Sequence, residues 1–224
     1  MWWGVKWGFR LWLVVVLIVL GMRWINPPVT YLMLDERARL GTISRAWVDI
    51  DDISPHMQRA AVAAEDARFC AHWGFDFQAI QLVLDTGASR GASTISQQVA
   101  KNVFLWPQRS WLRKGLEAGF TLLIEGLWGK RRILEVYLNV AEFDEGVFGV
   151  EAAARRYFSA GADALNLRQA SRIAMVLPNP RGRNAARPSG AMAKRARSIA
   201  AGAQTIAADG RAVCFAPSDT VGSR

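Results

Sequence analysis

Cysteine is almost missing from this chain, with two in 224 residues, Cys70 and Cys214. They lie far apart, so a disulfide framework is not expected and no metal spacing can be read. The redox compartment is not decided by cysteine. No serine has lysine three residues on, which leaves out a Ser-x-x-Lys nucleophile. No internal repeat is visible. Acidic residues are in deficit, 19 against 28 Lys and Arg, giving a net charge of +9. That balance points to anionic partners: a membrane surface, a phosphate-bearing substrate or nucleic acid. Half the residues are hydrophobic, enough for a sizeable core, and the length allows one ordinary domain plus an appendage.

Long apolar runs are scarce as well. Leu11 to Met22 is uncharged, but short for a span of about 20 residues. Extended from Trp7 to Ile25, it makes about 28 Å of helix, with Arg10 and Arg23 placed to snorkel. Trp2, Trp3, Trp7, Trp12 and Trp24 suit interfacial anchors. No small-x-small cleavage site follows, so an uncleaved anchor is favoured over a signal peptide. Lys6 and Arg10 before the run favour a cytoplasmic N-terminus. Residues 27–53 read as a linker, with Val29–Leu32 and Ala46–Val48 as strand candidates.

The chain is organised around Ala61 to Asp76. Ser54-Pro55 is a helix start and Gly74 a helix stop. Glu65 and Asp66 then lie near a helix C-terminus, where the dipole and an apolar neighbourhood both disfavour a charged carboxylate. Such a group is a candidate general base or acid. The plainer alternative is a solvated face with Arg68 paired to Glu65. Phe77–Leu84 reads as a short helix. Gly87 and Gly91 bracket a loop. Ser93 or Thr94 can cap the next helix, and Thr94-x-x-Gln97 has capping-box spacing. A helix N-terminus behind such a loop suits an anion, and Gln97 and Lys101 share a face.

Phe104 to Lys114 interleaves large apolar residues with cations, as a surface dipping into headgroups would. Single-stranded nucleic acid fits the same pattern, but an anchor on the same chain makes nucleic acid an unexpected partner. Trp111–Trp128, with Glu117 four residues after Arg113, Lys130–Asn139, Val150–Phe158 and Leu167–Leu177 are amphipathic helices. Five or six helices with short loops make a mainly α fold. From Ala207 the chain reads as a poorly ordered tail.

Together these stretches resemble a known family. Glu65-Asp66-x-x-Phe69-x-x-His72-x-Gly74-x-Asp76 resembles the first signature of the bacterial peptidoglycan glycosyltransferases, glycosyltransferase family 51. Gly91 to Asn102 resembles the second and Arg113-Lys114-x-x-Glu117 the third. Lys130-x-x-Ile133-Leu134-Glu135-x-Tyr137-Leu138-Asn139 is similar to the fourth. Gly146-x-x-Gly149-Val150-x-x-Ala153-Ala154-x-x-Tyr157-Phe158 is similar to the fifth. Five signatures in order, over roughly Ala61 to Pro180, are far more specific than any one. The monofunctional biosynthetic form fits best, because a Ser-x-x-Lys transpeptidase domain is missing.

The resemblance implies a lysozyme-like helical lobe plus a small membrane-facing jaw lobe, preceded by one N-terminal transmembrane helix. The implied division is 1–26 cytoplasmic stub and anchor, 27–53 linker, 54–200 glycosyltransferase domain and 201–224 weakly ordered tail. It implies inverting polymerisation of lipid II with release of undecaprenyl pyrophosphate, on the periplasmic side of the bacterial inner membrane. Glu65 would be the general base and Glu117 the second carboxylate, which would hold a divalent cation, Mg or Mn. Lys101 and Arg109 would contact the pyrophosphate, with Arg113 and Lys114 nearby. Gln97, Gln98, Ser93 and Thr94 would contact substrate. Implied partners are lipid II, the growing glycan strand, membrane lipid and cell-wall synthesis proteins. Two rivals stand: a lysozyme-like peptidoglycan-cleaving enzyme, and a non-catalytic membrane-bound polyanion binder.

Overall fold

A computed structural model describes residues 2–87, 93–108 and 110–216. Among them the chain is mainly helical, as expected. α1 (Trp2–Gly21) leads to α2 (Tyr31–Leu40), β1 (Ser44–Arg45) and a 3-10 turn (Ile50–Asp52). Then come α3 (Pro55–Glu65), a second 3-10 turn (Phe69–Ala71), α4 (Phe77–Thr86), α5 (Ile95–Phe104) and α6 (Trp111–Leu127). The rest is α7 (Lys130–Val140), β2 (Glu142–Asp144), β3 (Val147–Phe148), α8 (Val150–Phe158), α9 (Leu167–Val176) and α10 (Gly190–Ala208). The helices outnumber the five or six expected, because short pieces inside the supposed linker and tail are helical too.

Among the described residues, α1 alone is long and apolar enough to cross a membrane, over Trp3–Gly21. It ends earlier than the Trp7–Ile25 expectation because its C-terminal end docks on the protein. Trp128 Nε1 donates to Val19 O at 2.7 Å. Arg23 donates to Leu127 O at 3.1 Å instead of reaching for an interface, and Arg132 donates to Met22 O and Ile25 O. The bonds to Val19 O and Leu127 O satisfy carbonyls that the ends of α1 and α6 leave open.

The segment 27–53 is not a plain linker. Thr30 caps α2 by accepting from Met33 N at 3.3 Å, so Val29–Leu32 enters a helix rather than a strand. The only strand pairing there is β1, parallel to β3 with Ser44 opposite Val147; β2 lies antiparallel on the other side of β3. Ala46–Val48 is not a strand; instead, Val48 exchanges two 2.9 Å bonds with the buried Asn139 side chain. That pair fixes this segment on α7.

Two helical groups frame the site. α3 packs with α9 and α10, whereas α5 packs with α6 and α7. One apolar core joins them through Val62, Ile95, Ile133, Tyr137 and Ile173.

Gly74 does not end the organising helix, which stops at Glu65 with Asp66 as its C-cap. Gly74 sits in the loop beyond, at φ +82°, and an added Cβ there would lie 2.6 Å from Thr121 Cγ2. Its carbonyl accepts from Thr94 Oγ1 at 2.7 Å. Only glycine is comfortable at such a φ. Gly74→Ala is expected to lower stability by about 1–3 kcal/mol, measured by urea unfolding; an unchanged midpoint would contradict this.

The C-terminal reading also needs correction. α10 runs to Ala208, with Ala203 and Ile206 buried, and Phe215 is buried beyond it. Phe215 packs against Phe69, and Cys214 is disulfide-bonded to Cys70. The segment 201–216 is therefore part of the folded body rather than a loose tail. Distance in sequence does not separate two cysteines that helix packing brings together.

Candidate active site

Glu65 closes α3 at the boundary between the two helical groups. Its Oε2 accepts a 2.9 Å bond from Gln98 Nε2, one turn into α5. Gln98 in turn accepts from the buried Tyr137 hydroxyl at 3.4 Å. Burial pushes the Glu65 carboxyl above the ordinary glutamate range. The Gln98 bond and the positive fields of Arg195 and Arg183 pull the other way, and Asp66 adds to the rise. The Tyr137 hydroxyl is pushed well up by burial, with Glu65 and Asp66 adding to it. Tyr137 therefore stays neutral and serves as a fixed donor.

Asp66 does different work from its neighbour. Its Oδ2 accepts from Ile95 N at 3.0 Å, at the positive end of α5. Its Oδ1 lies 2.8 Å from His72 Nε2. Arg68 does not pair with Glu65; it lies 3.8 Å from Asp76 and bonds Gln78.

The N-terminus of α5 is built as the sequence suggests. Thr94 and Gln97 form a reciprocal capping box. That commits their polar atoms to structure, and Thr94 is buried. Glu117, on α6, is also buried; Arg113 donates to it at 2.6 Å, one turn away. Lys114 donates to its other oxygen.

Two cavities meet here. The first, about 860 Å³, is lined by Glu65, Gln98, Lys101, Arg183 and Arg195 among others. The second, about 790 Å³, is lined by Gln97, Gln98, Lys101, Arg113, Lys114 and Glu117 among others. Ser93, Gln98 and Lys101 line both, so the two form one groove with an acid in each half. Thr94 lines neither cavity. Arg109 lies outside the described residues. Arg183 and Arg195 were missed from the sequence. They sit in a Gly-, Ala-, Pro- and Arg-rich stretch whose helix, α10, gives no strong periodic signal. The i, i+3 spacing of Met192 and Arg195 was the one available cue.

A divalent-cation cage is not evident around Glu117. Both its oxygens already face cations, and no second carboxylate lines that cavity among the described residues. Mg and Ca want several oxygen ligands. Asp66, His72 and Asp76 bring ligand atoms within 4.8 Å of one another. Asp66 and Asp76 there already cap α5 and α4.

An acid raised by burial and a groove of cations suit deprotonation of a hydroxyl beside a departing anion. Residues 35–204 match the family model described as Transglycosylase. The chain belongs to the transglycosylase family. A protein of Jannaschia sp. (strain CCS1) named biosynthetic peptidoglycan transglycosylase is 54% identical over 214 residues, covering 96% of this chain and 90% of that one. One of the same name from Rhodospirillum centenum (strain ATCC 51521 / SW) is 49% identical over 208 residues, covering 91% and 90%. Another, from Pseudomonas syringae pv. syringae (strain B728a), is 51% identical over 191 residues, covering 81% of each. Membership in this transglycosylase family accounts for a groove that holds both an acid and an excess of cations.

Proposed function

We propose that this chain is a membrane-anchored peptidoglycan glycosyltransferase that joins lipid II units into glycan strands. Glu65 takes the proton of the acceptor sugar's 4-hydroxyl. The freed oxygen attacks the donor's anomeric carbon from the side opposite the pyrophosphate. The bond between that carbon and the pyrophosphate oxygen breaks, its electron pair leaving with undecaprenyl pyrophosphate, and the configuration inverts from α to β. Lys101, Arg113 and Lys114 meet the charge that develops on the leaving group. Glu117 holds Arg113 and Lys114 in place, so it acts as a positioning residue. No step is assigned to a metal.

One observation carries this reading: Lys101 lines both the half-groove of Glu65 and that of Glu117. A cleaving enzyme has no pyrophosphate to neutralise and no use for that cation. The anchor reading places α1 in the inner membrane with the N-terminus cytoplasmic and the enzymatic domain periplasmic. The Cys70–Cys214 disulfide supports an oxidising compartment. Trp111 and Leu112 are 94% and 71% exposed beside Arg113 and Lys114, as a headgroup-facing surface needs. Labelled lipid II should yield a ladder of long strands. Short fragments from preformed wall, with no ladder, would favour a hydrolase.

The field around Glu65 sets its pH range. A base works only when deprotonated, so activity falls as pH drops through its pKa. Arg183→Gln removes a positive field that favours the carboxylate. Its pKa then rises further, and the acid limb of kcat/KM moves to higher pH. A limb that stays in place or moves down would contradict this role for Arg183.

A further inference from the structure

Beyond the reaction groove, α9 and α10 enclose a separate concavity of about 510 Å³. Its rim carries Arg168, Arg172 and Arg197, and its floor includes Leu167, Ala196 and Ala200. No acidic side chain lines it among the described residues. None of these three guanidinium groups has a side-chain hydrogen bond or ion pair among the described residues. Arg168 and Arg172 stand one turn apart on α9 and share a face. Three unpaired cations around one apolar floor repel each other, and a carboxylate ligand would relieve that. The guanidinium fork suits carboxylates in paired geometry. Small floor residues leave room for an extended peptide backbone.

Position narrows the ligand. α10 separates the two concavities: Met192 and Arg195 face the cavity of Glu65, and Ala196 and Arg197 face this one. A helix is about 10–12 Å across, which roughly three or four extended residues can cross. α1 packs mainly on α6, whereas α9 and α10 pack on α3 and on each other. A lipid headgroup is therefore not the favoured occupant. We infer that the α9–α10 groove binds the carboxylate-bearing peptide branch of the sugar substrate while the sugar lies at Glu65. This rests on the lipid II reading above.

The test has two arms, both on the full detergent-solubilised chain. In the first, Glu65→Gln protein with labelled arginine side chains is titrated with the free acidic peptide branch, its amidated form, inorganic phosphate and anionic vesicles. The inference expects the Arg168, Arg172 and Arg197 signals to shift with the acidic peptide and not with its amide. Equal shifts with phosphate, or shifts with vesicles alone, would overturn it. In the second, Arg168→Gln/Arg172→Gln/Arg197→Gln should raise KM for lipid II about tenfold, three exposed pairs being worth roughly 1.4 kcal/mol together. kcat should stay within about twofold, and amidated lipid II should not distinguish the variant from the parent. An unchanged KM would also overturn it. If the parent protein fails to elongate lipid II, the functional reading falls, and the peptide titration still decides the groove.

Discussion

Glu65→Gln is expected to cut lipid II polymerisation by about 100- to 10,000-fold, the usual contribution of a positioned base. The amide keeps the size of the side chain but cannot accept the acceptor's proton. Glu65 sits within the bond network of Gln98 and Tyr137, so its own loss of charge is the main change. Stability should move the other way. A carboxyl whose folded-state pKa is raised costs stability as pH rises above its ordinary unfolded value, and the full cost is present once pH exceeds the folded value. The neutral amide removes that cost, so the variant's Tm at neutral pH should equal or exceed the parent's. A variant that loses activity together with several degrees of Tm would show that Glu65 is structural. A variant that keeps most of its activity would remove Glu65 from catalysis.

The second large effect concerns the disulfide. Cys70 and Cys214 are 144 residues apart, so their bond closes most of the domain into one loop. A loop of that length restricts the unfolded chain by about 4–5 kcal/mol on the loop-closure account. Cys70→Ala/Cys214→Ala should therefore lower Tm by roughly 10–20 °C at about 2–4 °C per kcal/mol. The local consequence is also specific. Phe215 rests on Phe69, and Arg131 donates to Phe215 O at 2.9 Å. Releasing the tether loosens the turn that follows Glu65 and Asp66. A reductant should lower the parent's Tm by a similar amount and leave the double variant unmoved. A double variant melting within about 2 °C of the parent would contradict the assignment of the bond as a major staple.

Local chemistry made much of this legible in the sequence. Ser54-Pro55, Thr94-x-x-Gln97 and Asn166-x-x-Gln169 each mark a helix start, because a cap and its partner lie within one turn of chain. The acid at the end of α3 was readable from the same cues. What stayed hidden depends on contacts between distant segments. α2 looked extended because Val29-Thr30-Tyr31-Leu32 is β-prone in composition, and only Thr30 as a cap reverses that. Arg183, in the turn after α9, and Arg195, on α10, join Glu65 only when α9 and α10 pack on α3. The disulfide is invisible without that same packing. The tail reading failed over 201–216 because Ala and Gly dominate α10, and its burial against α3 and α9 makes a helix of a segment with little amphipathic signal; residues 217–224 lie outside the described residues.

The account stands on a carboxyl at position 65 that burial keeps protonated to a higher pH than an ordinary glutamate. Carbon-13 NMR of the full chain, with labelled glutamate carboxyls and Glu65→Gln to assign the signal, reads this directly. The account predicts a Glu65 midpoint above the ordinary range that coincides with the acid limb of kcat/KM for lipid II. A midpoint in the ordinary range, or an acid limb set apart from it, would contradict the account.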